Sequence, residues 1–531
     1  MKPFLSTVLL LSPVLAIAQS PAPTTTVGEV SFPNSGSPAA QSDFLHGLAQ
    51  LHNFEYEDAA KHFRRAEELD PNFAMAYWGE AMTKNHGVWH EQDRDAACAA
   101  LQKLAPTPEA RQAKAPTPRE KEYLAAIEIL YGEGSKDERD QKYEAAMATL
   151  HQNFPDDIDA TAFYALSILS SAEHGRDFAT YMRAAAVLEE VFPQHPHHPG
   201  LVHYLIHSYD DPIHAPLGLR AARIYAQLAP DAGHAQHMTS HIFLALGMWE
   251  NVVKANETAI AVVNRQRAAT GRPPRACGHY PNWLEYGYMQ LGRVSDARRV
   301  LQACREEALR QAARNSQSNY ATVDSDSSSI GSYAEMRANF LIDSELWQDE
   351  VARWTFPTVN YPFAQLTFDY TGVLVAYKAS NLAAAHEALS RAESDFELAK
   401  AGTEKGILDE PDKLNNATIL IEQSRALLSS SKSSSPEVIA ALKTIAAKER
   451  GLPLEFGPPV IYKPTDELLG ELYLQEKLLA QAQQSFESDL ARAPGRRLGT
   501  QGLAASAQQI LPAKTPGASA KPAAPDAHVH N

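Results

Sequence analysis

Cysteine is close to absent. The chain has 3 in 531 residues, Cys98, Cys277 and Cys304, and no CxxC pair. That excludes a disulfide-built scaffold. A Cys277–Cys304 bridge and three separate buried thiols both remain open on sequence grounds. Clustered basic residues are missing too. The formal charge is −16, with no stripe of Lys and Arg, so the chain lacks the means to neutralise a phosphate backbone. No nucleic-acid partner is expected. Beyond the first twenty residues no apolar run approaches the ~20 residues of a membrane span. Strand-like alternation is scarce. Catalytic signatures are absent as well: there is no HExxH, GxSxG, Walker loop or GxGxxG.

What remains is a chain with 44% hydrophobic residues, enough to fold, and too long for one small core. Its start has the build of a cleaved secretory signal. Lys2 supplies the positive end, Leu5 to Ile17 is mostly apolar, and Ala16-Ile17-Ala18 offers small residues before Gln19. No cysteine follows, which argues against a lipid anchor. The expectation is a periplasmic or secreted protein with no integral membrane segment once residues 1–18 are removed.

Between breaks rich in Pro, Ser and Asn, apolar and small residues recur at spacings of three and four, which predicts helices. In Phe44 to Pro71, Gly47 sits in a first helix, while Tyr56, Ala59, Phe63 and Ala66 share one face of a second. Small residues let two antiparallel helices approach, large ones fill the flanks, and Pro71 starts the next turn. The pattern returns as Gly247, Trp249, Val252 and Ala259, as Gly292, Ala297, Leu301 and Cys304, and as Gly470, Tyr473, Ala482, Phe486 and Pro494. These residues resemble the tetratricopeptide (TPR) motif. The resemblance implies an all-α, TPR-like helical-hairpin solenoid with a concave groove that takes a peptide, protein or small-molecule ligand. The runs HPHHPGLVHYLIHSYDDP and HAQHMTSHIFLALGMW are similar to those of exported bacterial TPR proteins, and that likeness carries no activity with it.

The breaks divide the chain into a signal (1–18), a flexible leader (19–41), N-terminal TPR-like pairs (42–104), central His-rich repeats (119–314), irregular helical repeats (333–450), a C-terminal repeat (451–511) and a disordered tail (512–531).

Nine of the 20 histidines fall between His195 and His241. On a helix His203 and His207 lie one turn apart, and His234, His237 and His241 fall within a ~60° arc at 100° per residue. The TPR register places both sets on neighbouring first helices, facing the groove. His279 enters from the next pair, with Asp210 and Asp211 close by. Neutral imidazole binds Zn, Cu or Fe, and i,i+4 pairs chelate well. His203, His207, His234, His237 and His241 are therefore the candidate metal ligands. His198, Asp210, Asp211, His279, His86 and His52 are possible further groove residues. Against this stands the plain alternative, that such histidines are structural or bond a peptide. Glu173-His174 reads equally as a proton-handling pair or a helix cap. No catalytic residue is assigned. Three functions stay open: a ligand-binding groove holding a transition-metal ion, a metal-dependent hydrolase or oxidoreductase using the same cluster, and an envelope interaction scaffold.

Overall fold

The computed structural model describes residues 26–172, 175–315, 328–357, 361–404, 411–430 and 435–510. The signal (1–18), the pair Glu173-His174 and the tail (512–531) lie outside them. Among the described residues there are 23 α-helices and one two-stranded β-ladder, Asn85–His86 against Glu91–Gln92. No described helix is long and apolar enough to cross a membrane.

Helices run antiparallel in consecutive pairs. Gln41–His52 packs on Tyr56–Leu69, Pro199–Tyr209 on Ala215–Leu228, Gly233–Ala245 on Trp249–Ala269, and Thr465–Gln475 on Leu479–Arg492. First helices of successive pairs also touch one another, as Pro199–Tyr209 does Gly233–Ala245, and so build an inner layer. This is the all-α stack of helical hairpins that the motif implied.

Five hairpins share one device. Phe54, Gly247, Gly292, Ser380 and Lys477 all have φ between 56° and 70°, and each lies two residues before the second helix of its pair. A left-handed residue there turns the chain sharply back. Glycine meets the requirement without strain at two of the five sites. Ser380 serves the pair Pro362–Lys378 and Leu382–Glu404, inside the stretch whose sequence follows the motif least.

The small residues act as expected. A Cβ on Gly47 would lie 3.1 Å from the Phe63 ring, and one on Gly470 would lie 2.6 Å from that of Phe486. Gly79 has the same role, with the Phe63 ring 2.4 Å from its would-be Cβ, and the motif did not single it out.

Within the expected flexible leader, residues 26–40 pack against the repeats. Phe32 is buried among Phe44, Trp78 and Tyr123. Asn53 Nδ2 donates to the Val27 carbonyl (2.6 Å), and the Thr26 N–H donates to Asp231 Oδ2 (2.9 Å). Averaged composition hid two apolar anchors, Val27 and Phe32, in a stretch otherwise rich in Pro, Ser and Gly. Cys277 and Cys304 form a disulfide, which resolves the two open readings, and Cys98 is a half-buried free thiol.

The C-terminal repeat folds back on the middle of the chain. Trp249 Nε1 donates to the Gly495 carbonyl (2.8 Å), and Arg496 Nη1 to the Tyr286 hydroxyl (3.1 Å). Arg496 is fully buried and pairs with Glu467 and Asp343, each at 2.8 Å. The solenoid thus closes on itself, and its inner layer is covered.

Two outcomes follow from this geometry. In Gly292→Ala the new Cβ meets open space, so its cost is the backbone's alone, about 1–2 kcal/mol; a lower urea midpoint reads it. Arg496→Leu leaves the buried Asp343 carboxylate without its cation and Glu467 with Lys463 alone, at a cost of about 3–5 kcal/mol. It should also speed protease cleavage between residues 452 and 464, and unchanged cleavage would mean that Arg496 does not hold the closure.

Candidate metal centre

The helix Pro199–Tyr209 starts where Pro199 takes the first position and the His198 side chain accepts from the Leu201 N–H (3.4 Å). All eleven of its residues are buried, as are twelve of the thirteen in Gly233–Ala245. Helices buried all round need a partner on every face. They have one: the closing C-terminal segment on one side and the first hairpin on the other. The expected solvent-facing lining is therefore revised. The histidines do lie together on the inner layer, but enclosed, because the chain fills its own concave side.

His203, His207 and His234 form one group. One ring nitrogen of each lies within 4.8 Å of the other two. Their Nδ1 atoms are already engaged. His203 Nδ1 donates to the His52 carbonyl (2.6 Å), His207 Nδ1 faces Asp210 Oδ2 (3.7 Å), and His234 Nδ1 faces the Tyr280 hydroxyl (3.4 Å). All three Nε2 atoms are buried without a hydrogen-bond partner. Burial, then the neighbouring imidazoles, pushes His203 and His234 well below the usual histidine range. Both rings are neutral at pH 7, with the Nε2 lone pair of His203 free to bind. The backbone N–H of His234 donates to Glu55 (2.9 Å), and burial raises that carboxyl to about 7.

His237, His241 and His279 form a second, abutting group, also within 4.8 Å. The His234 and His237 rings are 6.1 Å apart, and those of His207 and His241 5.7 Å. His241 Nδ1 donates to Asp210 Oδ2 (2.9 Å), and His237 Nδ1 to Asn256 Oδ1 (2.7 Å). Asn256 Nδ2 donates in turn to the Val252 carbonyl, which fixes the amide's orientation. Burial lowers His237 strongly, while Asp210 partly offsets the effect at His241.

Asp210 and Asp211 stand behind these rings rather than among the free nitrogens. The Arg176 side chain, 3% exposed, pairs with both. Burial would raise the Asp210 carboxyl, but Arg176, His207 and His241 outweigh it and keep it ionised. Asp211 also accepts from His214 Nδ1 (2.9 Å).

Three expected groove residues do not join the lining. His52 and His198 share Asp159 Oδ1, at 2.9 and 3.3 Å, and the other His52 nitrogen meets the Tyr204 hydroxyl (3.0 Å). Their nitrogens are used up in tying three helices together. His86 stacks on Tyr56 at 4.0 Å beside Glu91, 34% exposed. Sequence reasoning missed Arg176, Asn256, Tyr280, Asp159 and Phe54. Phe54 carried a signal only in hindsight: its left-handed backbone aims its ring at His203, His207 and His234. Trp283 lies against His237 and His241, and Phe456 against His207 and His241.

These hydrogen bonds fix tautomers. With imidazole nitrogens labelled by 15N, the metal-free protein should show His203, His237 and His241 protonated at Nδ1. An Nε2–H signal from His203 would overturn the arrangement.

No protein-family model and no curated protein sequence matches the chain. Among solved structures it is similar to the Cut9–Hcn1 hetero-tetramer of the APC/C, at 10% identity and a TM-score of 0.34, covering 90% of this chain and 78% of that one. It is similar to yeast Tom70 at 13% identity and a TM-score of 0.30, covering 88% and 96%. Aspartyl phosphate phosphatase F from Bacillus subtilis is similar at 11% identity and a TM-score of 0.28, covering 88% and 96%.

Proposed function

We propose that this protein is an exported TPR-type scaffold that holds a transition-metal ion at His203, His207 and His234. One observation carries the reading: three histidines that each bring a ring nitrogen within 4.8 Å of the other two have buried Nε2 atoms without a hydrogen-bond partner. A buried polar atom left unpaired costs about 1–3 kcal/mol, so three in one group call for a common partner. A cation can take three imidazole lone pairs at once, whereas a water molecule has only two protons to donate. The engaged Nδ1 atoms support the same reading. Ligating histidines almost always donate their other nitrogen to a carbonyl, carboxylate or water, which orients the ring.

Imidazole donors fit Zn, Cu or Fe. Three protein ligands also leave a coordination position for a further group, the usual arrangement of a zinc site that does chemistry. On the outside, stacked helix pairs supply a surface for a protein partner. The metal-dependent enzyme is the second reading, favoured by that spare position. Export is supported by the apolar amino-terminal stretch and by the Cys277–Cys304 disulfide, which suits an oxidising compartment.

The test is elemental analysis of the mature protein, made without a histidine tag, beside a His203→Ala/His207→Ala variant. The expected result is near-stoichiometric metal in the parent, with loss of the ion in the variant at unchanged helical content. A parent that stays metal-free after exposure to Zn(II), Cu(II) and Fe(II) would sink the proposal.

A further inference from the structure

His237 and His241 face each other through their Nε2 atoms at 3.1 Å. That pairing needs one donor, and the structure supplies none. Asp210 is ion-paired with Arg176 and, as a carboxylate, can only accept, so His241 must carry its proton on Nδ1. Asn256 presents its oxygen to His237, which must also be protonated on Nδ1. Both Nε2 atoms therefore hold lone pairs, and two lone pairs at that distance repel. A second proton on either ring would remove the conflict, but it would place a charged imidazole on a ring that is buried from solvent. A metal ion removes it directly. Two nitrogens bound to one tetrahedral ion at ~2.0–2.1 Å stand roughly 3.3 Å apart, close to the separation seen.

We propose that a second transition-metal ion binds His237, His241 and His279, next to the first, so that the protein carries a two-metal centre with three imidazoles on each ion. The inference rests on the preceding reading for the neighbouring ion alone; the facing nitrogens argue for the second ion independently. Asp210 Oδ2 ties the halves together, since it faces Nδ1 of His207 in one group and of His241 in the other. His279 is half-buried, unlike the other five, and so offers the route by which an ion enters. The ligand class is a first-row ion that accepts imidazole nitrogen, zinc or copper.

The experiment dialyses the metal-stripped, full-length mature protein against Zn(II) and counts bound ions. The parent should hold two, His237→Ala/His241→Ala one, and His203→Ala/His207→Ala one. Circular dichroism checks that each variant is folded. His279→Gln, at a half-exposed position, stands in if a double variant unfolds, and should weaken the second ion at least tenfold. Loading with Cu(II) should give the half-field paramagnetic signal of two close ions. A parent with one ion, kept by His237→Ala/His241→Ala, overturns this inference and leaves the first site standing. A parent with none removes both. One ion lost in either double variant means a single shared site and also overturns it.

Discussion

Asp210 stays charged inside the protein because Arg176 lies against it. A lone carboxylate at that depth would take up a proton instead. Ionised, it can only accept, and this property sets the rest of the site. It forces the proton of His241 onto Nδ1 and draws the corresponding nitrogen of His207 toward it. The opposite nitrogen of His241 then points inward as a lone pair. The neighbouring carbonyl of His52 and amide of Asn256 do the same for His203 and His237. One ion pair, a backbone oxygen and one amide thus turn a crowd of histidines into a set with a common direction.

The repeat architecture makes that crowd affordable. Paired helices that meet at small residues such as Gly47, Gly79 and Gly470 stack with their first helices inward. The ends of the chain then fold over this inner layer, the first hairpin through Phe54 and the C-terminal repeat through Phe456 and Arg496. An open groove would have let water satisfy every imidazole. Closure takes these rings out of contact with bulk solvent, and so raises the demand for some other partner.

Much of this was readable in the residues. Spacings of three and four gave helices, and the Gly–Ala–aromatic pattern gave hairpins. The i,i+4 pairs His203/His207 and His237/His241 marked helix faces that do meet, joined by His234 and His279. What stayed hidden depends on contacts across long stretches of sequence. Arg176 reaches Asp210 over 34 residues, and Asn53 reaches Val27 over 26 through a leader whose composition looked unstructured. His52 and His198 looked like groove residues because local pattern records the face a residue occupies. It does not record that Asp159 waits there to saturate both.

The enclosure of the histidines also bears on timing. Phe54, His207, His241 and Phe456 meet at one place although some 400 residues separate the first from the last. Neighbouring hairpins can zip up locally and early, but contacts this distant in sequence form late, after the loop between them has been closed at an entropic cost. A chain made only as far as the central repeats has the histidines without the enclosure. The finished enclosure therefore needs both the first hairpin and the segment around Phe456, and its assembly belongs to a late stage of folding.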